Sequence, residues 1–127
     1  MIGADTNILV RFLIGDIEEQ MVKVADLMTS GEQIYINASV LTELTWVLTA
    51  SYKFTKPELV EAYDLLMECS GIIFFDSDLV SKALAQFIVS SAGFNDCMIN
   101  QINLKKGINT KTFDKKASKL DGMELLG

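Results

Sequence analysis

Histidine is absent from all 127 residues. That removes imidazole acid–base catalysis, the Ser-His-Asp arrangement and His-ligated zinc together. Only two cysteines are present, Cys69 and Cys97, which is too few for a thiolate zinc site or a disulfide framework. Both lie in apolar helical patterns and read as small buried thiols of a reducing, cytoplasmic setting. A single proline, Pro57, leaves the chain with no proline-rich linker. No apolar run approaches the ~18 residues that a membrane-spanning helix needs, and the first residues lack the basic segment of a signal peptide. Any catalysis must therefore rest on carboxylates, lysine, hydroxyls or a hard metal ion.

What is present is apolar and acidic. Half of the residues are hydrophobic and the net charge is −6, a poor composition for a protein that coats nucleic acid indiscriminately. The charge is uneven, however. Residues 1–104 carry five basic and fourteen acidic side chains, net −9, whereas residues 105–127 carry six lysines against three acids, net +3. The lysine-rich end suits either a solvated face or a phosphate-contacting patch.

Strand and helix signals alternate along the chain. An apolar strand runs into Asp5, and 7–14 reads as a short helix ended by Gly15. Asp16 with Glu19 suggests a capping box for a helix to Gly31, with Met21, Val24, Ala25 and Met28 as its apolar face. Residues 33–37 alternate as a strand. Ser39 is the expected cap of a helix to Ser51, and Thr55 with Glu58 forms a second capping box, Pro57 being tolerated in the first turn. Leu59, Tyr63, Leu66 and Met67 make that helix's buried face. Residues 72–75 read as a buried strand and Asp76 to Asp78 caps a helix to Ser90, with Val80, Leu84, Phe87 and Ile88 inward. A helix over 95–106 ends at Gly107, a strand spans 108–113, and 123–126 adds an edge strand. This β-αα-β-αα-β-αα-β-α-β order predicts one α/β domain over 1–127 with a central, mostly parallel sheet of four to five strands covered on both faces. Ligands of such sheets collect beyond the carboxyl ends of the strands.

Four acids stand at or near that rim. Asp5 and Asp114 each follow a strand, while Glu43 and Asp96 lie in apolar surroundings near helix starts. An ionised carboxylate at the end of a buried strand is costly unless something pairs with it, and four together repel one another unless a cation joins them. Mg²⁺ or Mn²⁺ resolves the conflict, because hard divalent ions take oxygen ligands. Each acid also has a structural alternative. Asp5 and Asp114 can cap the turns that follow them, Asp96 can serve as a first-turn acid favoured by the helix dipole, and Glu43 can face solvent.

The segment Ala4-Asp5-Thr6-Asn7-Ile8-Leu9-Val10 resembles the opening of PIN-domain proteins, especially VapC-type toxins of bacterial toxin–antitoxin pairs. The similarity continues through Ser39–Leu48, Phe94–Ile99 and Thr110–Asp114, in order and over essentially the whole chain. The resemblance implies a three-layer α/β/α sandwich and a metal-dependent endoribonuclease. It further implies Asp5 and Asp96 as principal Mg²⁺ or Mn²⁺ ligands, Glu43 as a ligand or water-orienting base, and Asp114 as the fourth acid. Thr6, Asn7 and Thr112 match supporting positions beside the site. Many relatives carry a further acid where Gly93 stands, and commonly Ala where Cys97 stands.

An acidic ribonuclease needs local positive charge, for which Arg11, Lys111, Lys115 and Lys116 are the candidates. The resemblance also implies a structured RNA substrate such as transfer RNA, a homodimer, and a VapB-type antitoxin laid over the helices of 7–30 and 39–51, with Met21, Met28 and Trp46 as contacts. Two other readings compete. A catalytically silent PIN-like binding module would share the fold, and a phosphoryl-transfer domain with Asp5 as nucleophile would need a second acid beside it, which Thr6 and Asn7 do not supply.

Overall fold

In the computed structural model, which describes Met1–Gly127, the first element is a short strand, β1 (Ile2–Gly3). The chain then forms helices α1 (Thr6–Ile14) and α2 (Glu18–Thr29), strand β2 (Ile34–Ile36), helices α3 (Ala38–Ala50) and α4 (Lys56–Glu68), and strand β3 (Ile72–Phe74). Helices α5 (Ser77–Val89) and α6 (Phe94–Lys105) follow, then strands β4 (Thr110–Thr112) and β5 (Met123–Leu125) around a single 3-10 turn, Ala117–Lys119. The order of elements is the one expected from the alternating patterns. The strands form two parallel ladders, β1-β2-β3 and β4-β5. No helix is long and apolar enough to cross a membrane, and no disulfide joins Cys69 to Cys97.

The residues cluster into two compact units, Met1–Phe75 and Asp76–Gly127. In the first, β2 lies between β1 and β3, with Ile2 opposite Ile34 and Ile34 opposite Ile72. Its largest fully buried side chains include Leu9, Ile34, Ile36, Leu41, Leu44 and Leu48. Apolar residues at i, i+3 and i+7 of α3 produce that buried stripe. Two polar groups are buried with them. The Thr45 hydroxyl bonds the Leu41 carbonyl at 2.9 Å and also pairs with the Tyr63 hydroxyl, so neither is left unsatisfied. Burial holds the Tyr63 phenol neutral, well above its usual range.

Helix starts were legible only in part. The capping box of Thr55 and Glu58 is present with Pro57 in the first turn. The cap of α3 is Asn37 rather than Ser39, its Oδ1 accepting the Val40 N–H at 2.8 Å. Asn outcompetes a Ser two residues later because it stands in extended backbone where the strand ends (φ −84°, ψ 170°). Replacing Asn37 with Ala is expected to cost about 1 kcal/mol, read as a lower urea midpoint with an unchanged slope. At α2 the expected Asp16 cap is also corrected. The helix begins after Ile17 without a side-chain cap, because Asp16 is drawn instead to the Arg11 guanidinium and accepts from the Tyr52 hydroxyl at 3.2 Å. Of the apolar face predicted there, Val24 is buried while Met21 and Ala25 are exposed.

In the second unit α5 and α6 pack together through Phe87 and Phe94, whose rings meet edge to face with centroids 5.8 Å apart. Val80, Ala83, Leu84, Cys97 and Met98 are buried, but Ile88, expected inward, is exposed. It falls one position past Phe87 on the helix, and Phe87 takes the core side. Asp76 caps α5 by accepting the Leu79 N–H at 3.1 Å and pairs with Lys105. Lys105 and that N–H hold the Asp76 carboxyl below the usual range. Buried Asn100 donates to Gln86 Oε1 at 3.2 Å and to the Asp121 carbonyl at 2.9 Å, which ties α6 to the turn before β5. That turn admits only glycine at 122. Its φ is +105°, and a Cβ there would stand 2.6 Å from Asn100 Oδ1.

Candidate functional site

The strand ends of the first unit place Asp5. The β1–β2 ladder continues through the Ala4 N–H to the Tyr35 carbonyl at 3.1 Å, so Asp5 and Asn37 follow adjacent parallel strands at the same edge. Both residues adopt nearly the same extended backbone and both cap a helix, Asp5 accepting the Ile8 N–H at 3.3 Å. The positive ends of α1 and α3 therefore point to one edge, which favours negative charge there. Asp5 is solvent-exposed, next to buried Thr6. Glu43 lies in the second turn of α3, exposed, on the side opposite the buried stripe of Leu41, Leu44 and Leu48.

A cavity of about 330 Å³ opens beside Asp5, lined by Asn7, Ile8, Arg11, Gln20, Lys23 and Val24. Arg11, expected to be available for phosphate, is already engaged. Its guanidinium pairs with Asp16, and its Nε donates to Gln20 Oε1 at 2.8 Å. The Tyr52 hydroxyl and Asp16 together raise its pKa. Lys23 lines the same cavity and makes no ion pair, so it is the unspent cation of this wall. Nothing in the sequence marks Lys23 for this place, since it is one helical lysine among acids.

The second unit brings Asp96 and Asp114 together. Asp96 sits in the first turn of α6 and Asp114 follows β4. Burial of Asp96 and then the negative charge of the exposed Asp114 raise the Asp96 pKa, so each carboxylate lies within electrostatic reach of the other. Asp114 is held on a fixed turn. Its N–H donates to Thr112 Oγ1 at 3.0 Å, and its Oδ1 accepts the N–H groups of Lys116 at 2.8 Å and Ala117 at 2.9 Å. The Thr112 position thus braces the acid rather than reaching beyond it. Gly93 is the N-terminal boundary of α6, and a Cβ there would lie 3.8 Å from Asp96 Oδ2. A longer acidic side chain at 93 would therefore add a charge directly beside Asp96.

The profile of the PIN domain matches residues 3–123. The chain belongs to the PIN domain family. The match runs through both units, and the six helices and parallel strands agree with the three-layer α/β/α fold of a PIN domain. No curated protein matches the chain significantly. PIN domains are generally metal-dependent nucleases. The donor chemistry of this PIN domain fits a hard divalent cation, because Asp96 and Asp114 repel each other without one and no imidazole is available. No group of three or more acids or thiols is gathered tightly enough to form a complete metal cage. Hard ions such as Mg²⁺ complete their shells with water and substrate oxygens, so one or two protein carboxylates suffice.

Of the basic residues expected to contact RNA, Lys111 is spent on Glu124, its register partner across the β4–β5 ladder. Lys115 and Lys116 form no ion pair and are exposed.

Proposed function

We propose that this PIN domain is an endoribonuclease of the VapC toxin type, dependent on Mg²⁺ or Mn²⁺ and acting on structured RNA in the cytoplasm. The observation that carries the reading is the Asp96–Asp114 pair, in which a half-buried Asp96 feels the charge of an exposed Asp114 inside a PIN-family chain. In this reading Asp5 and Asp96 are the metal ligands, and Glu43 and Asp114 assist. The bound ion would supply Lewis acidity toward a phosphate oxygen and lower the pKa of a water. Asp114, its backbone N–H bonded to Thr112 Oγ1 and its Oδ1 held by two backbone N–H groups, would leave its other oxygen to accept a proton from an attacking water. The helix ends at Asp5 and Asn37 favour the anionic substrate at the same edge. Lys115 and Lys116 offset the repulsion between an acidic protein and phosphate.

Water as the attacking group predicts products with 5′-phosphate and 3′-hydroxyl ends. The measurement is end analysis of RNA digested in Mg²⁺ or Mn²⁺, with EDTA stopping the reaction. Cyclic 2′,3′-phosphate ends, or undiminished cleavage in excess EDTA, would overturn the mechanism. Retained RNA binding with no cleavage under any divalent ion would favour a silent binding module instead.

The exposed apolar side chains of the first unit support two further assignments. Trp46 on α3 is 64 % exposed, and Met21 and Val22 on α2 also face solvent, while Met28 is half-buried. Flexible sulfur and a large aromatic suit a partner surface, here the VapB-type antitoxin or the second copy of a homodimer.

A further inference from the structure

Phe113 is 78 % exposed, the most exposed aromatic side chain of the protein. It is not on a loose segment. It follows β4 directly and stands between Thr112 and Asp114, whose mutual hydrogen bond and the two N–H bonds to Asp114 Oδ1 fix the turn on either side of it. Two exposed lysines with no ion pair, Lys115 and Lys116, come next in the chain, while the charge of Lys111 is neutralised by Glu124. The ladder continues from β4 to the Leu126 N–H, bonded to the Thr112 carbonyl at 2.9 Å, so half-exposed Leu126 is the apolar neighbour that the register brings closest.

A rigidly presented aromatic face beside uncommitted cations is the combination that single-stranded nucleic acid uses, bases stacking on the ring and phosphates pairing with the lysines. A protein contact would instead be built on a broader apolar patch than Phe113 offers with the exposed Leu125 and Leu126 of the neighbouring strand end. We infer that Phe113 is a stacking platform for one unpaired base of the RNA, next to the phosphodiester served by Asp114, with Lys115 and Lys116 holding the flanking phosphates. The inference rests on the nuclease reading and adds to it a source of specificity. The enzyme would select RNA whose base at this position is unstacked, in a loop or bulge rather than a helix.

The test uses full-length protein and RNA oligonucleotides carrying 2-aminopurine at successive positions. Binding is measured in an Asp96→Asn background, so that substrate survives, and cleavage in the otherwise native chain. Phe113→Ala is expected to weaken binding by about 5- to 100-fold, the range found for losing one stacked base. Phe113→Trp is expected to restore it, and one 2-aminopurine position is expected to change fluorescence with Phe or Trp present but not with Ala. Exposure of the side chain makes a folding defect no explanation, and a coincident thermal midpoint for the three proteins checks this. Equal RNA binding by Phe113→Ala overturns the proposal. So does a change in sedimentation with RNA binding unaltered, which would assign Phe113 to a protein contact. A native chain that neither binds nor cuts RNA fails earlier, at the nuclease reading, and takes the stacking platform with it.

Discussion

Asp96→Asn is expected to lower metal-dependent RNA cleavage by about 10³-fold or more, since several kcal/mol of charge stabilisation are lost at about 1.4 kcal/mol per factor of ten. The same substitution is expected to raise the thermal midpoint of the metal-free protein. In the folded state burial and Asp114 push the Asp96 pKa above its unfolded value. The native state then binds a proton more readily than the unfolded chain through the window between the two values, so stability falls as pH rises across it. At neutral pH the ionised Asp96 is a net liability in the absence of a cation. Asparagine removes that liability along with the proposed metal ligand. Adding Mn²⁺ should therefore stabilise the native protein and leave Asp96→Asn nearly unmoved, and calorimetric scans with and without the ion read both effects. Native-like cleavage by Asp96→Asn, or a lowered midpoint in its metal-free form, would remove Asp96 from the site.

Phe94→Ala is expected to have the largest effect on stability, about 3–5 kcal/mol, against the 5–15 kcal/mol that holds a typical domain folded. Phe94 is 2 % exposed and meets Phe87 edge to face, so truncation leaves a cavity at the start of α6 as well as losing the ring pair. Chemical denaturation should show a markedly lower midpoint with the slope unchanged. Activity at low temperature should also fall, because Phe94 sits two residues before Asp96 in the first turn that positions that acid. A loss under 1 kcal/mol would mean that the α5–α6 contact does not organise this end of the chain.

The order of strands and helices was legible because it rests on periodicity, which Val80, Leu84 and Phe87 or Leu41, Leu44 and Leu48 display openly. Caps were less so. Ser39 and Asp16 satisfy local rules, yet Asn37 has the extended backbone at the strand end and Asp16 has a stronger partner in Arg11. Strand partnership was not legible at all. Three-residue segments such as β4 and β5 carry too little pattern to say which ladder they join. At the candidate site, the strand-end positions of Asp5 and Asp114 followed from topology. The ion pairs that occupy Arg11 and Lys111 did not, because both depend on contacts that only the folded chain makes.

Under the proposed function Asp5 and Asp114 each carry two duties on one carboxylate. Each closes a turn through one oxygen, Asp5 toward Ile8 and Asp114 toward Lys116 and Ala117. Genetic experiments on this protein therefore depend on which inactive allele is chosen. Alanine at either position deletes architecture along with any chemistry, and a silent phenotype would be ambiguous between an unfolded turn and a lost acid. Asparagine caps a helix about as well as aspartate and removes only the charge. It is the substitution that can separate a dead enzyme from a damaged one.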